Sequence, residues 1–364
     1  MAALLMTGFP GFLGSALLPR ILARREGTRA ICVVQPQHMA TARTRLDEIE
    51  AASPHTVGRV ELVRGDITKP KLGIAAKSLA GMDDINEVWH LAAVYDLAVA
   101  KEIAQKVNVD GTAKVLDFCT SRPEKVRLQY VSTCYVSGHY EGEFTEDGLE
   151  EGQHFLNHYE STKYEAEVLV RKAMADGLAA SIYRPGVVVG DSKTGATQKY
   201  DGPYFLATLM RRQIGPVAVV PYVANPDTIR FGLVPRDFVI EAMDVLSVTE
   251  GTVGKTFALT DPNPPTCREL ADTFGKILGK RLVWVPVPLG LSRMAIDKVP
   301  GVEWLLGLPA ESLDYFALPT TYSTKNTTAA LEGTGLSCPP FAGYADTLIN
   351  FMIAHPEFGS SAMV

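Results

Sequence analysis

The opening stretch "AALLMTGFPGFLGSALLPRILARR" leaves few folds open to this chain. Residues 2–6 form a short apolar run suited to a strand buried on both faces. Apolar residues then recur with helical spacing in "SALLPRILARR", despite Pro19. Between the two, glycines fall at Gly8, Gly11 and Gly14. A strand-to-helix turn of this kind lets backbone approach a pyrophosphate, whose charge the helix N-terminus favours. A glycine triplet alone says little. Its place after an opening strand and before a helix outweighs the competing reading of a ligand-free tight turn.

The pattern then repeats. Apolar runs at "AICVV" (30–34), "VELVRGDI" (60–67), "EVWHLAAVYD" (87–96) and "VRLQYVSTCYVSG" (126–138) read as strands separated by helical stretches. Such alternation predicts a parallel sheet covered on both faces, with ligands at the carboxyl ends of its strands. The fold class is α/β. It is a Rossmann-type doubly wound parallel sheet with a smaller, mostly helical C-terminal part that binds substrate. Residues 1–190 read as the dinucleotide-binding domain with the catalytic residues, and 191–364 as the substrate-binding or cap region. Within the latter, 228–260 returns to the sheet.

Composition fits this and excludes other classes. The 364 residues are 46% hydrophobic and 21% charged, which is globular. A net charge of −6 argues against nucleic acid as a partner. The five cysteines show no metal-ligand spacing and no disulfide framework, so no metal is expected and a reducing compartment fits. The N-terminus reads as a first strand, not a signal peptide, and no run is long enough to span a bilayer. A cytoplasmic location is the expectation.

The strand ends nominate cofactor contacts. Gly8, Phe9, Gly11, Phe12, Leu13 and Gly14 would surround the pyrophosphate. Gln35 follows the second strand, where an acidic residue would read a ribose 2′-hydroxyl and a basic one a 2′-phosphate. Arg43 and Arg45 come within reach of a 2′-phosphate if the intervening loop folds back, which favours NADPH over NADH. Their competing reading is a solvated helix face. Asp66, with Ile67, would meet adenine, and the small Ala92 and Ala93 after Leu91 would let the cofactor lie against backbone. In "YRPGVVVG", Pro185 and Gly186 remove bulk where the nicotinamide must pass, and Val187 and Val188 would pack on it.

"HYESTKYEAE" (158–167) places Tyr159 one helical turn before Lys163, on one face. An ammonium beside a phenol favours the phenolate and lowers a pKa that is ordinarily about 10. The competing reading is an ordinary amphipathic helix.

In order, "TGFPGFLG", "GDI", "HLAA", "NVDGT", "YVST", "YESTK" and "YRPGVVVGDSKTG" resemble the extended branch of the short-chain dehydrogenase/reductase superfamily. With "HLAAVYDL", "YDGPYFLATLMRR" and "LPTTYSTKNTTAAL", the chain is most similar to the reductase module of bacterial fatty acyl-CoA and thioester reductases. The resemblance implies a catalytic group of Thr133, Tyr159 and Lys163. Thr133 and Tyr159 would bond the carbonyl oxygen, and Lys163 the nicotinamide ribose. Asn108 would help a proton relay, or cap a helix. The chain departs from the family at Gln35, where an arginine is usual, and at Arg236, which replaces an apolar residue before Asp237.

The implied substrate is a lipid-like thioester, aldehyde or ketone, carried on coenzyme A or a carrier protein. Tyr95, Thr133, Tyr204 and Phe205 are the lining candidates. Cys134 reads as a packed thiol, not a nucleophile. The apolar stretch 299–318 reads as a helical cap, as a wall for an acyl chain, or as a patch for peripheral membrane contact. A monomer or homodimer is expected. Competing functions on the same scaffold are an NAD-dependent sugar-nucleotide epimerase, a hydroxysteroid-type alcohol dehydrogenase and a non-catalytic dinucleotide sensor.

Overall fold

A computed structural model describes residues 2–96, 99–122, 125–290 and 310–359. Residues 299–309 of the apolar stretch lie outside them. The strands in chain order are β1 (Ala3–Thr7), β2 (Arg29–Val34), β3 (Val60–Arg64), β4 (Ile85–His90), β5 (Arg127–Val131), β6 (Gly142–Phe144), β7 (Ala180–Pro185), β8 (Val187–Val189), β9 (Val217–Tyr222), β10 (Leu233–Pro235), β11 (Thr256–Leu259), β12 (Arg281–Pro286) and β13 (Thr320–Tyr322). Seven of them form one parallel sheet in the order β11-β7-β5-β4-β1-β2-β3. The expected doubly wound sheet is therefore what forms. The chain works outward from β1 to β3, then returns to β4 on the other side of β1. That reversal opens a crevice at the carboxyl ends of β1 and β4.

Burial explains the strands' apolar composition. On one face, Leu17, Leu18 and Ile21 of the Phe12–Arg24 helix pack with Ala42 and Leu46 and with Phe238 of the Arg236–Val248 helix. On the other, Val115 of the Gly111–Thr120 helix packs with Ala166 and Val170 of the His158–Ala175 helix. Pro19 costs its helix about 3 kcal/mol. Burial of four large neighbours, each contributing roughly 1.5–3 kcal/mol, outweighs it.

The C-terminal part builds a further core. Tyr204 and Met210 of the Tyr204–Arg212 helix meet Phe274 of the Cys267–Ile277 helix and Leu348 of the Ala345–Ala354 helix. The Thr266–Glu269 capping box read from the sequence is present. Shorter parallel pairs, β8 with β10, β9 with β12 and β6 with β13, stitch this part together. No helix among the described residues is long and apolar enough to cross a membrane.

Two strands end earlier than their apolar runs. β4 stops at His90 because the next amides turn toward β1: Leu91 N donates to the Thr7 carbonyl at 3.3 Å and Ala92 N to Thr7 Oγ1 at 3.3 Å. β5 stops at Val131, and Thr133 Oγ1 accepts from Tyr135 N at 3.2 Å to start a short 3₁₀ turn.

Candidate active site

The glycine turn is shaped by close approach. Gly8 has φ +91°, and a Cβ there would lie 2.8 Å from the Leu91–Ala92 backbone. A Cβ at Gly11 or Gly14 would fall 2.8 or 2.6 Å from the Gly8 carbonyl oxygen. The helix start is thus pressed onto the end of β1. No side chain caps the Phe12–Arg24 helix and no acidic residue stands in its first turn. Its leading N–H groups, from Phe12, Leu13 and Gly14, are left for an anion, and the cradle fits a dinucleotide pyrophosphate. Phe9 is a core residue.

At the adenosine end, Gln35 hydrogen-bonds Gln37 at 2.9 Å and also the Asp66 carboxylate. Burial pushes Asp66 up. Hydrogen bonds from Thr68 N and Oγ1, at 3.0 and 2.8 Å, more than offset this and hold it below the usual range. Arg43 is exposed on the Met39–Ala52 helix, whereas Arg45 is drawn to Glu48 at 2.7 Å. Ile67 is buried, close to Gly111. Ala93 is partly buried, and Val187 and Val188 lie partly buried against two different cores. Gly186 follows Pro185 for a reason the sequence did not show: a Cβ there would sit 2.2 Å from the Gly232 carbonyl oxygen. Its small size serves the crossing with the β10 segment.

Thr133, Tyr159 and Lys163 converge where β5 meets the His158–Ala175 helix. Asn157 caps that helix by accepting from Glu160 N at 3.0 Å. Lys163 is buried, with Nζ 3.0 Å from Tyr130 OH and 2.9 Å from the Val131 carbonyl. Burial pushes its ammonium down to about 7, against support from Glu167. The phenol acidified by Lys163 is not found. Burial instead pushes Tyr159 up to about 12, while a hydrogen bond with Thr133 pulls the other way. Lys163 does not bring it down, because a lysine that titrates near 7 has lost its charge before the phenol ionises. Tyr159 therefore stands as a neutral phenol.

Asn108 does not cap a helix. It lies within a π-helical turn, Gln105–Asp110. Its amide bonds Val94 N and O at 2.9 and 3.0 Å and Thr162 Oγ1 at 3.0 Å, tying the β4 exit to the catalytic helix. Nearby, His90 bridges Thr7 and Thr112 at 2.8 and 3.0 Å, and burial lowers it to about 3. Thr112 Oγ1 donates to the Asn108 carbonyl at 2.6 Å, so it accepts from His90 Nε2–H. Beneath the site, the buried Glu167 takes Arg184 at 2.6 and 3.1 Å, Arg171 at 3.0 Å and Ser132 Oγ at 2.6 Å.

A small cavity of about 20 Å³, room for a single water, lies beside the Thr133–Tyr135 loop and is lined by Tyr135, Phe231, Tyr315, Leu318 and Tyr322 with exposed Arg230. Tyr315 OH donates to Glu160 Oε1 at 2.5 Å and accepts from Asn157 Nδ2 at 2.7 Å. Burial raises Glu160 to about 7 despite that bond. Of the lining candidates, Tyr95 is near Tyr159, with Lys199 Nζ 4.5 Å over its ring. Tyr204 is a core residue instead. It is 2% exposed, and its hydroxyl accepts from Gly190 N at 3.1 Å. Phe205 is buried too, and neither lines the cavity.

Comparison with known proteins agrees with this geometry. The family model described as Male sterility protein, an NAD-binding family, matches residues 6–243. The chain belongs to that family. This reductase is similar to a component of the linear gramicidin synthase of Brevibacillus parabrevis, 30% identical over 274 residues, covering 72% of this chain and 5% of that protein. It is similar to Aldehyde reductase lnbA of Aspergillus flavus, 25% identical, covering 85% and 32%. It spans well under half the length of these curated relatives. The terminal R domain from the myxalamid PKS-NRPS biosynthetic pathway superposes with a TM-score of 0.82 at 28% identity, covering 98% of this chain and 91% of that one. A UDP-glucuronic acid 4-epimerase from Bacillus cereus, with a TM-score of 0.65 at 18% identity, shares the fold alone. The reductase is an NAD(P)-binding oxidoreductase of the extended short-chain dehydrogenase/reductase type.

Sequence reasoning missed Tyr130, His90, Glu160, Glu167 and the reductase's cavity-lining aromatics. One of them had a visible signal: Glu167 stands one further turn beyond Lys163 in "YESTKYEAE".

Proposed function

We propose that this chain is an NADPH-dependent reductase of an acyl thioester, releasing an aldehyde that the same site can reduce to an alcohol. The observation that carries the reading is the meeting of Thr133, a neutral Tyr159 and Lys163 where β5 meets the His158–Ala175 helix. The dinucleotide, bound across the glycine turn, supplies the hydride. Thr133 Oγ1 and the Tyr159 hydroxyl hold the carbonyl oxygen, and Tyr159 gives its proton to the oxyanion as it forms. Lys163 has two N–H groups engaged by protein, which leaves a third for the nicotinamide ribose. The tetrahedral hemithioacetal then expels thiol. No cysteine takes part: Cys134 is buried, its Sγ lies 3.1 Å from the Arg184 carbonyl, and burial pushes its thiol well up.

The thioester reading draws support from relatives named as peptide synthetases, and favours a carrier-protein thioester over coenzyme A. NADPH is favoured by exposed Arg43 on the helix that follows β2 and by the absence of an acidic side chain at Gln35. A second reading, reduction of a free aldehyde alone, is favoured by the aldehyde reductase relative. The test follows NADPH absorbance with a medium-chain acyl group offered on a carrier protein, on coenzyme A and as the aldehyde. Turnover of the aldehyde but of neither thioester selects the second reading. Undiminished turnover in Tyr159→Phe, expected to lose roughly 10²–10⁴-fold, sinks both.

A further inference from the structure

We infer that Arg236 is a cofactor-binding residue that supplies a side-chain charge to the dinucleotide pyrophosphate. This rests on the dinucleotide reading above and concerns a residue that no motif of the glycine turn includes.

Arg236 opens the Arg236–Val248 helix immediately after β10. Its guanidinium carbon lies 4.9 Å from the ring centroid of Phe12, the first residue of the helix that follows the glycine turn. The ring is a platform on which a cation gains attraction without losing its N–H groups. Those groups are little used. The guanidinium offers five donors, yet its hydrogen bond to acid is a single long one, 3.5 Å from Nη2 to Asp191 Oδ2. The neighbouring acids are otherwise engaged. Asp191 Oδ1 takes Lys193 N, Thr194 N and Thr194 Oγ1, while both Asp237 oxygens take Ser192. The Arg236 side chain is 22% exposed, so it is largely desolvated and still open to a ligand.

Position decides which anion it meets. Phe12 belongs to the turn that faces a pyrophosphate, whereas a ribose 2′-phosphate is read at the end of β2, where Gln35 stands. Arg236 therefore serves NADH and NADPH alike. The uncapped helix start supplies N–H dipoles, and Arg236 supplies the full charge that those dipoles lack.

The test measures binding, without turnover. Dissociation constants for NADPH, NADH and adenosine 2′-monophosphate, which carries no 5′-phosphate, are taken by calorimetry for the wild type, Arg236→Leu and Arg236→Lys. Arg236→Leu should weaken NADPH and NADH by a similar factor, about ten- to a hundredfold. The monophosphate should change little, and Arg236→Lys should recover part of the loss. A thermal melt of each variant checks folding. If Arg236→Leu does not fold, Arg236→Lys and Arg236→Gln carry the comparison. Loss confined to NADPH, or unchanged binding of both dinucleotides, overturns the assignment and leaves Arg236 as a counter-ion for Asp191. If the wild type itself binds neither dinucleotide, the reading of the turn fails first, and the two failures are told apart.

Discussion

Replacing Lys163 by methionine should make the free protein more stable while abolishing its chemistry. A lysine ordinarily at 10.5 that burial holds near 7 carries a charge-burial cost of about 5 kcal/mol when protonated in the fold. Methionine removes that cost and keeps most of the stem's packing. It also strips a partner from Tyr130 OH and from the Val131 carbonyl, which returns about 1–3 kcal/mol. The net gain near pH 6 is about 2–4 kcal/mol. The pH dependence isolates the cause. Between the folded value near 7 and the unfolded value of 10.5, the unfolded chain binds the proton and the native state does not. Wild-type stability therefore rises with pH in that window, by about 2 kcal/mol between pH 7 and 9. The variant lacks this slope, so its advantage should shrink as pH rises. Urea unfolding of both proteins near pH 6 and pH 9 measures it. An advantage of equal size at both pH values would refute the argument, because it would come from packing and not from a buried charge.

Tyr130→Phe removes one of the two protein partners of Lys163, so the ammonium should titrate lower still. Activity that needs the charged lysine should then be lost at lower pH than in the wild type, with kcat falling about tenfold, as a pH–rate profile would show. An unshifted profile would mean that Tyr130 only fills space. Glu167→Gln breaks a buried pair with Arg184 and should cost about 3–5 kcal/mol, read as a lower urea midpoint. A loss below about 1 kcal/mol would show that water replaces the carboxylate.

The sheet was legible because strands buried on both faces must be apolar along their whole length, and glycine at positions 11 and 14 answers to the Gly8 carbonyl a few residues away. Tyr159 and Lys163 were legible for the same local reason, being one turn apart. What the pair does to each other was not. Helical spacing shows that two side chains share a face. It does not show that β5 offers Lys163 a phenol and a carbonyl to hold, nor that burial moves Tyr159 upward. The cavity escaped for a related reason: Tyr135, Phe231, Tyr315 and Tyr322 meet only through tertiary packing. Tyr204 misled because an aromatic near a site looks the same in sequence whether it faces substrate or core. The cap reading of Asn108 failed because a π turn has no simple signature in a stretch that reads as a helix start.

The bond from Tyr315 to Glu160 and Asn157 joins a wall of the cavity to the first turn of the helix bearing Tyr159. The two cannot be engineered as separate parts. Exchanging the 310–322 segment for that of a relative, to admit a different acyl group, would also reset the angle at which Tyr159 meets the carbonyl. A graft that carries the tyrosine along should keep its turnover rate, and one that omits it should bind the new substrate and process it slowly.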